Sequence, residues 1–487
     1  MKKHTKILAA FITGLIILSL SCTKDFEEIN TDPNNPVEAP SINIIANAIR
    51  FYTQNQFNQW GDMNEPSSWA NHLGKIQYID EAQYKFREGV VNTRWSVAYY
   101  NINDLDKIIK KESAEDGNPN YKAMAMTYRA NIYQSTTDRF GNIPYTEAAL
   151  GDEGTTNPSY DTQEFIYMDL LDQLKQANDL YTPSPAFAIG PNDILFGGDM
   201  MKWKKFTNSL RLRVATRISD VAPNVARTHI EEILGNPATY PVMESNDDNA
   251  YLWWQTSPPY KEPWNADSDD RDDHGMCKTL VDVLLDFNDP RLPVYAKPAT
   301  SDGEYRGVIS GAIDGTFVLA DISRIGALFR DVPDGFSPIM RYAEVQFKIA
   351  EAAHRGWNTG GATAQQAYEA GIQASIDEYD LGGFSDYIQQ PGVAWEGDIE
   401  QIYLQKWIAL FNNGNEAWAE TRRTDVPLLE HAPGSPYFGE HNRPPFRYPY
   451  PTDEVNLNSG NVTPELSGIV NHMWGKQMWW DTRTGVN

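Results

Sequence analysis

Apolar side chains recur at intervals of three and four along most of this sequence. That spacing constrains the fold more than any other feature, because it lays a continuous stripe along one face of a helix. Ile42, Ile45, Ile49 and Tyr52 form one such stripe, with Ser41 placed to cap it. Trp95, Tyr99, Ile102, Leu105 and Ile109 form a second, stopped by the Gly117-Asn118-Pro119 break, and Tyr121, Met124, Tyr128 and Ile132 a third. Asp161 followed by Glu164 is a capping-box variant that predicts a helix carrying Ile166, Leu170, Leu174 and Ala177. The series continues through Trp203, Phe206, Leu210 and Val214, then Tyr342, Val345, Ile349 and Ala352, then Tyr368, Ile372 and Ile376, and closes on Ile399, Tyr403, Trp407 and Leu410.

Neighbouring stripes are separated by Pro, Gly and Asn turns, so the expected fold is mainly α, with helix pairs stacked as in tetratricopeptide repeats. The consensus residues of that repeat are absent; the architecture is read from spacing alone. Three intervening stretches, 60–91, 236–275 and 300–340, are too long for simple connectors and are expected to carry function or small strands. Alternation at Tyr251, Trp253 and Gln255 predicts one such strand, with Trp253 and Trp254 on opposite sides.

The start of the chain reads as an export signal. Lys2, Lys3 and Lys6 precede an apolar run over 7–20 that contains Thr13 and Gly14, and Ser19 and Ser21 follow. A membrane span needs about 20 apolar residues, so this run is too short to be one. Cys22 stands at the cleavage point, before the polar Thr23, Lys24 and Asp25. It is either the lipidated first residue of a mature lipoprotein or a plain thiol able to pair with Cys277, the only other cysteine. The expected organisation is a signal peptide over 1–21, a lipidated linker over 22–40 and one domain over 41–487.

The formal net charge of −25 excludes nucleic acid as a partner, since recognition of phosphate backbones needs clustered Lys and Arg. No HExxH, GxSxG, GxxxxGK[ST], GxGxxG or CxxC pattern is present, and no two of the eight histidines lie three to five residues apart. Neither a catalytic residue, a cofactor nor a metal site is therefore expected. The acidic run Asp267, Asp269, Asp270, Asp272 and Asp273 fails the spacing of an EF-hand loop, with His274 and Val281 at ligand places, and reads as a solvated loop.

The aromatic residues are the positive signal. The chain has 14 Trp and 25 Tyr, and many stand in Pro- and Asn-rich loops. A flat ring offers an apolar face on which the CH-rich face of a sugar can stack, while nearby amides, acids and arginines bond to hydroxyls. Trp95, Trp203 and Trp407 lie on helical stripes and are expected in the core. The candidate ligand residues are Trp60, Trp69 and Tyr84 in the early loop, and Trp253, Trp254, Tyr260, Trp264 and Arg271 in the loop over 248–273, where Pro258, Pro259 and Pro263 stiffen the chain.

Several segments together resemble the SusD/RagB family of nutrient-binding outer-membrane lipoproteins of Bacteroidetes. They are Cys22-Thr23-Lys24-Asp25-Phe26, the run Asp138-Arg139-Phe140-Gly141-Asn142-Ile143-Pro144-Tyr145-Thr146-Glu147-Ala148, and Ser209-Leu210-Arg211-Leu212-Arg213. Asn288-Asp289-Pro290-Arg291-Leu292, Gln405-Lys406-Trp407 with Glu416-Ala417-Trp418, and Pro449-Tyr450-Pro451 complete the likeness. The resemblance implies a tetratricopeptide-like scaffold with a variable ligand-binding part, and a lipid on Cys22 that tethers the protein to the outer membrane. It also implies a SusC-like TonB-dependent transporter as partner and an oligosaccharide as ligand. An oligopeptide receptor of the same transporter system and, outside the binding class, a glycosidase stand as the alternatives.

Overall fold

The computed structural model describes residues 39–487. The signal peptide, Cys22 and all but the last two residues of the linker lie outside the described residues.

The apolar stripes fold into helices because each buries one face against the next. The long helices are α1 (Ser41–Phe57), α2 (Glu88–Lys111), α3 (Pro119–Phe140), α4 (Gln163–Leu180), α5 (Met200–Arg217) and α6 (Pro223–Gly235). In this half each helix packs on the one after it. After the short α7 (Pro263–Ser268) and α8 (Lys278–Asp286) come α9 (Tyr342–His354), α10 (Ala364–Asp377), α11 (Ile399–Ala409) and α12 (Gly414–Thr424). Here α9 lies against both α10 and α11, and also reaches back to α5, so the two halves share one buried apolar cluster that extends from Ile42 to Trp480. Trp95, Trp203 and Trp407 are all buried in it.

Local chemistry fixes the ends. Asn118 accepts a hydrogen bond from the backbone N–H of Asn120, and Pro119 occupies the first helical position of α3. Thr363 and Gln366 form a reciprocal capping box on α10. The fourth helix starts later than the sequence suggests. Its cap is Thr162, whose hydroxyl accepts from Phe165 N–H at 3.2 Å. Asp161 is not free to cap, because its carboxylate takes the backbone N–H groups of Tyr145 and Thr146 at 3.2 and 2.7 Å.

The long connections carry small antiparallel ribbons. β1 (Leu73–Lys75) pairs with β3 (His274–Met276), placing Lys75 opposite His274. β2 (Ala250–Trp253) pairs with β6 (Phe336–Met340), and β4 (Ala296–Lys297) with β5 (Arg324–Ile325). The β1–β3 ribbon sews the early loop to the end of the loop over 248–273, and so brings the two aromatic-rich stretches together.

A network of buried charges joins the helices at the centre. Arg213 and Arg217 of α5 meet Glu344 of α9 and Glu416 and Glu420 of α12 at 2.6 to 2.7 Å. Lys406 of α11 and Arg423 of α12 meet Glu420 at 2.6 and 3.0 Å, and Arg423 meets Glu351 of α9 at 2.7 Å. Burial alone would push these carboxyls up, but the adjacent guanidinium and ammonium groups outweigh it and hold Glu344, Glu351 and Glu420 below the usual carboxylate range. Such a network stabilises only while complete, because removing one partner strands its counter-charge away from water. Glu351→Ala is therefore expected to lower unfolding free energy by roughly 3 to 5 kcal/mol in denaturant titration, and a loss under about 1 kcal/mol would show that the network contributes little.

Candidate functional site

The last turn of α1 runs into a single π turn, Gln59–Met63, that projects Trp60 outward. Asn58 starts that turn, its side chain accepting from Gly61 N–H at 2.8 Å. Gly61 is required there: a Cβ would lie 2.0 Å from the carbonyl oxygen of Asn55. Gly414, at the start of α12, is required for the same reason, since a Cβ would lie 2.4 Å from the Asp62 carboxylate.

Across from this turn stands the proline-stiffened loop. Between the two is a cleft of about 600 Å³. One wall is Gln54, Asn55, Asn58, Gln59 and Trp60; the other is Pro258, Pro259, Lys261, Pro263, Ala266, Asp267 and Asp269. Gln54 ties the walls together by donating to the carbonyl of Pro259 at 3.2 Å. The charged groups of the lining are already paired, Lys261 with Asp269 at 2.6 Å and Asp267 with Arg330 at 2.8 Å. What the cleft offers a ligand is thus amides, ring surface and proline, a neutral polar lining with apolar faces.

Two exposed rings, Trp60 and Tyr260, each carry a guanidinium over one face. The guanidinium of Arg87 lies 5.6 Å from the centre of the Trp60 ring, and that of Arg50 lies 5.5 Å from the centre of Tyr260. Arg87 is bonded to Glu81, which pairs with the buried Lys75 at 2.7 Å, and Lys75 donates to Asn64 at 3.0 Å. His274, across the ribbon, reaches the same Asn64 oxygen at 2.9 Å. Burial drives His274 well below the ordinary imidazole range, so it is neutral and donates through Nε2. A buried polar chain therefore runs beneath the cleft and ends on the cation over the Trp60 ring.

Of the candidate residues, Trp60 alone lines the cleft; Tyr260 lies between the lining residues Pro259 and Lys261 in sequence but outside the lining, and both rings are exposed. Trp253 and Trp254 do point to opposite sides, at 61% and 6% exposure. Trp254 is a correction as a ligand residue, because its ring is interior and its Nε1 donates to Ser337 Oγ at 2.9 Å. Trp253 is exposed but packs edge-on to Tyr251 and against Phe336, away from the cleft lining. Three more are corrected. Trp69 is buried against Trp418 and Tyr448, Tyr84 against His431 and Trp474, and Trp264 against Phe329 and Phe411, so none has a face left for a ligand. These loops carry so many rings because they fold back into the main apolar cluster, to which Trp69, Tyr84 and Trp264 all belong. Arg271 lies 4.5 Å from the ring centre of Tyr78, beside the cleft and outside its lining. The amides of α1 went unread because, on a helix, exposed Asn and Gln look like any solvated face.

Four of the five acids of the run are paired with arginine or lysine: Asp267 with Arg330, Asp269 with Lys261, Asp272 with Arg324 and Asp273 with Arg271. Among the described residues no group of three or more His, Cys, Asp or Glu is arranged to hold a metal ion. Cys277 is buried and makes no disulfide among the described residues.

Two acids under the cleft have their hydrogen bonds from neutral groups. Asp62 is bonded by the Ser67 hydroxyl at 3.0 Å and Glu262 by the Asn265 N–H at 2.7 Å. Burial pushes Asp62 up to about 7 and Glu262 to about 8 in spite of those bonds. Unfolded, they would titrate near 3.8 and 4.5, so their neutral forms stabilise the fold fully below about pH 4. That contribution is lost as pH rises through about 7 to 8. Melting temperature should fall from about pH 5 to pH 8.5, and a double variant, Asp62→Asn with Glu262→Gln, should flatten the fall. An unchanged slope in the variant would remove these acids from the account.

The sequence matches, over residues 33–451, the family described as SusD-like, starch-binding associating with outer membrane. No curated protein is detectably similar in sequence. Among solved structures, a chitin-binding SusD homologue from Flavobacterium johnsoniae is 27% identical with a TM-score of 0.78, over 91% of this chain and 98% of its own. A second chitin-binding protein is 25% identical with a TM-score of 0.79, over 91% of this chain and all of its own. A SusD-like protein from Bacteroides thetaiotaomicron is 25% identical with a TM-score of 0.77, over 91% of this chain and 99% of its own. With a profile match across most of its length and a helical architecture shared with these structures, the chain belongs to the SusD-like family.

Proposed function

We propose that this protein binds a neutral oligosaccharide in the cleft between Trp60 and the 258–269 loop, and delivers it to a SusC-like TonB-dependent transporter while held on the cell surface by a lipid on Cys22. The observation that carries the reading is the cleft itself: an exposed Trp60 ring, amide side chains beside proline faces, and charged groups that are already paired. A sugar chain presents alternating CH faces and hydroxyls, which is the chemistry this lining complements. The net charge of −25 disfavours polyanionic glycans. Two of the similar structures are of chitin-binding proteins and the family description names starch, which makes N-acetylated chitin oligomers and malto-oligosaccharides the first ligands to test. The protein is a binding protein and not an enzyme.

Calorimetric titration of the mature protein with those two series and a peptide library tests the reading. Trp60→Ala should weaken binding of the preferred glycan by about tenfold, with the melting temperature close to unchanged, since a rim ring contributes to stacking more than to the core. Binding of peptides with no glycan bound would overturn it.

The anchor has its own test. One acyl chain holds a protein only marginally, so a stable attachment needs the several chains of a bacterial lipoprotein. Cys22→Ala should move the protein from the membrane fraction into the soluble one. Membrane retention of that variant, with no lipid incorporated in the parent, would dismiss the tether.

A further inference from the structure

Three exposed rings on the loop side of the molecule share one construction. Trp60, Tyr260 and Tyr78 each have an arginine guanidinium over one face of the ring, Arg87 at 5.6 Å, Arg50 at 5.5 Å and Arg271 at 4.5 Å. Each arginine is in turn pinned by side chains: Arg87 by Glu81, Arg50 by Asn47 and Gln54 at 3.0 and 3.1 Å, and Arg271 by Asp273 at 2.8 Å. Trp60 lines the cleft, and Tyr260 is next in sequence to the lining residues Pro259 and Lys261. The third, Tyr78, has no part in the cleft lining and is 65% exposed.

Tyr78 is held as firmly as the other two. The buried Asp273 accepts the Ile76 N–H on its backbone carbonyl at 2.8 Å while its carboxylate holds Arg271, so one residue fixes both the chain leading into Tyr78 and the cation over its ring. The backbone of Tyr78 is left-handed, φ +48°, a conformation that costs a bulky L residue energy and that the surrounding structure must hold in place. At 65% exposure the Tyr78 ring buries little surface, so burial contributes little to holding it in this conformation. The platform is also continuous with the cleft. Arg271 donates its backbone N–H to the carbonyl of Asp267, a cleft-lining residue one helical turn away, and Asp80, two residues past Tyr78, sits 3.9 Å from the arginine over the Trp60 ring.

We propose that Tyr78 is a further stacking subsite flanking the cleft, so that the ligand is a neutral glycan chain long enough to span from Trp60 to Tyr78. This rests on the reading of the cleft as a glycan site. A guanidinium over one face of each ring lessens its attraction for a second positive charge, which disfavours a cationic ligand.

Titration of the full mature chain with N-acetylated chitin oligomers and malto-oligosaccharides, each from disaccharide to hexasaccharide, tests it. In the wild type, affinity should climb with chain length. Tyr78→Ala should cost roughly fivefold on the hexasaccharide and leave the disaccharide unchanged, while Tyr78→Phe should behave as wild type, since the ring and not the hydroxyl is used. Thermal melting should be the same for all three, given the exposure of the ring. A hexasaccharide affinity unaltered by Tyr78→Ala but lost in Trp60→Ala would overturn the subsite and leave the cleft standing. No binding of either series by the wild type would overturn both.

Discussion

The buried charge network is the constraint on which the remaining structure depends. Five helices contribute to it: Asp138 from α3, Arg213 and Arg217 from α5, Glu344, Lys348 and Glu351 from α9, Lys406 from α11, and Glu416, Glu420 and Arg423 from α12. Apolar packing is tolerant of sliding, because one methyl contact resembles another. Ion pairs without water are not, since a displaced charge faces the full penalty of burial. The network therefore sets one registration of the N-terminal helix pairs against the C-terminal ones.

That registration is transmitted to the cleft through the first turn of α12. Gly414 lets the Asp62 carboxylate and Ser67 approach, Asn415 donates to the carbonyl of Gly61 at 2.9 Å, and Glu416 pairs with Arg217 in the network. Arg139 of α3 adds a second tie, bonding both Asn415 at 3.0 Å and Gln56 of α1. The π turn that presents Trp60 is thus mounted on the most tightly specified part of the molecule. A binding ring on a rigid mount loses less freedom on meeting its ligand than one on a mobile loop.

Legibility in the sequence divides along the same line. Helices announce themselves locally, so most of α1 to α6 and α9 to α11 could be read from apolar spacing, and the alternation at 251–255 located a strand that separates Trp253 from Trp254. The run from Asp138 to Ala148 pointed to the family through residues that serve the scaffold: Asp138 accepts from Trp480 at 2.8 Å and pairs with Arg217, and Arg139 braces the π turn. Which loop rings face solvent was not legible. Trp69, Tyr84 and Trp264 occupy the same kind of loop sequence as Trp60 and Tyr260, and the difference is made by partners far along the chain. Trp418 and Tyr448 cover Trp69, Trp474 covers Tyr84 and Phe411 covers Trp264, over separations that no local pattern encodes.

The contrast between the two sets of buried acids shows where stability has been given up. In the central network adjacent cations keep Glu344, Glu351 and Glu420 ionised in spite of burial, while Glu416 alone of its glutamates is pushed up by burial. Under the cleft, Asp62, Glu65 and Glu262 have hydrogen bonds but weaker compensation, and burial pushes all three toward neutrality at about 7 to 8. Apolar residues of similar size would make a firmer floor, since they carry no desolvation cost. The acids instead organise backbone. Glu262 caps α7, and Glu65 takes the Tyr448 hydroxyl, fixing the chain just beyond the π turn. Asp62, Glu65 and Glu262 are themselves buried and outside the cleft lining, so their cost is carried by the fold and offset by the backbone they organise around Trp60.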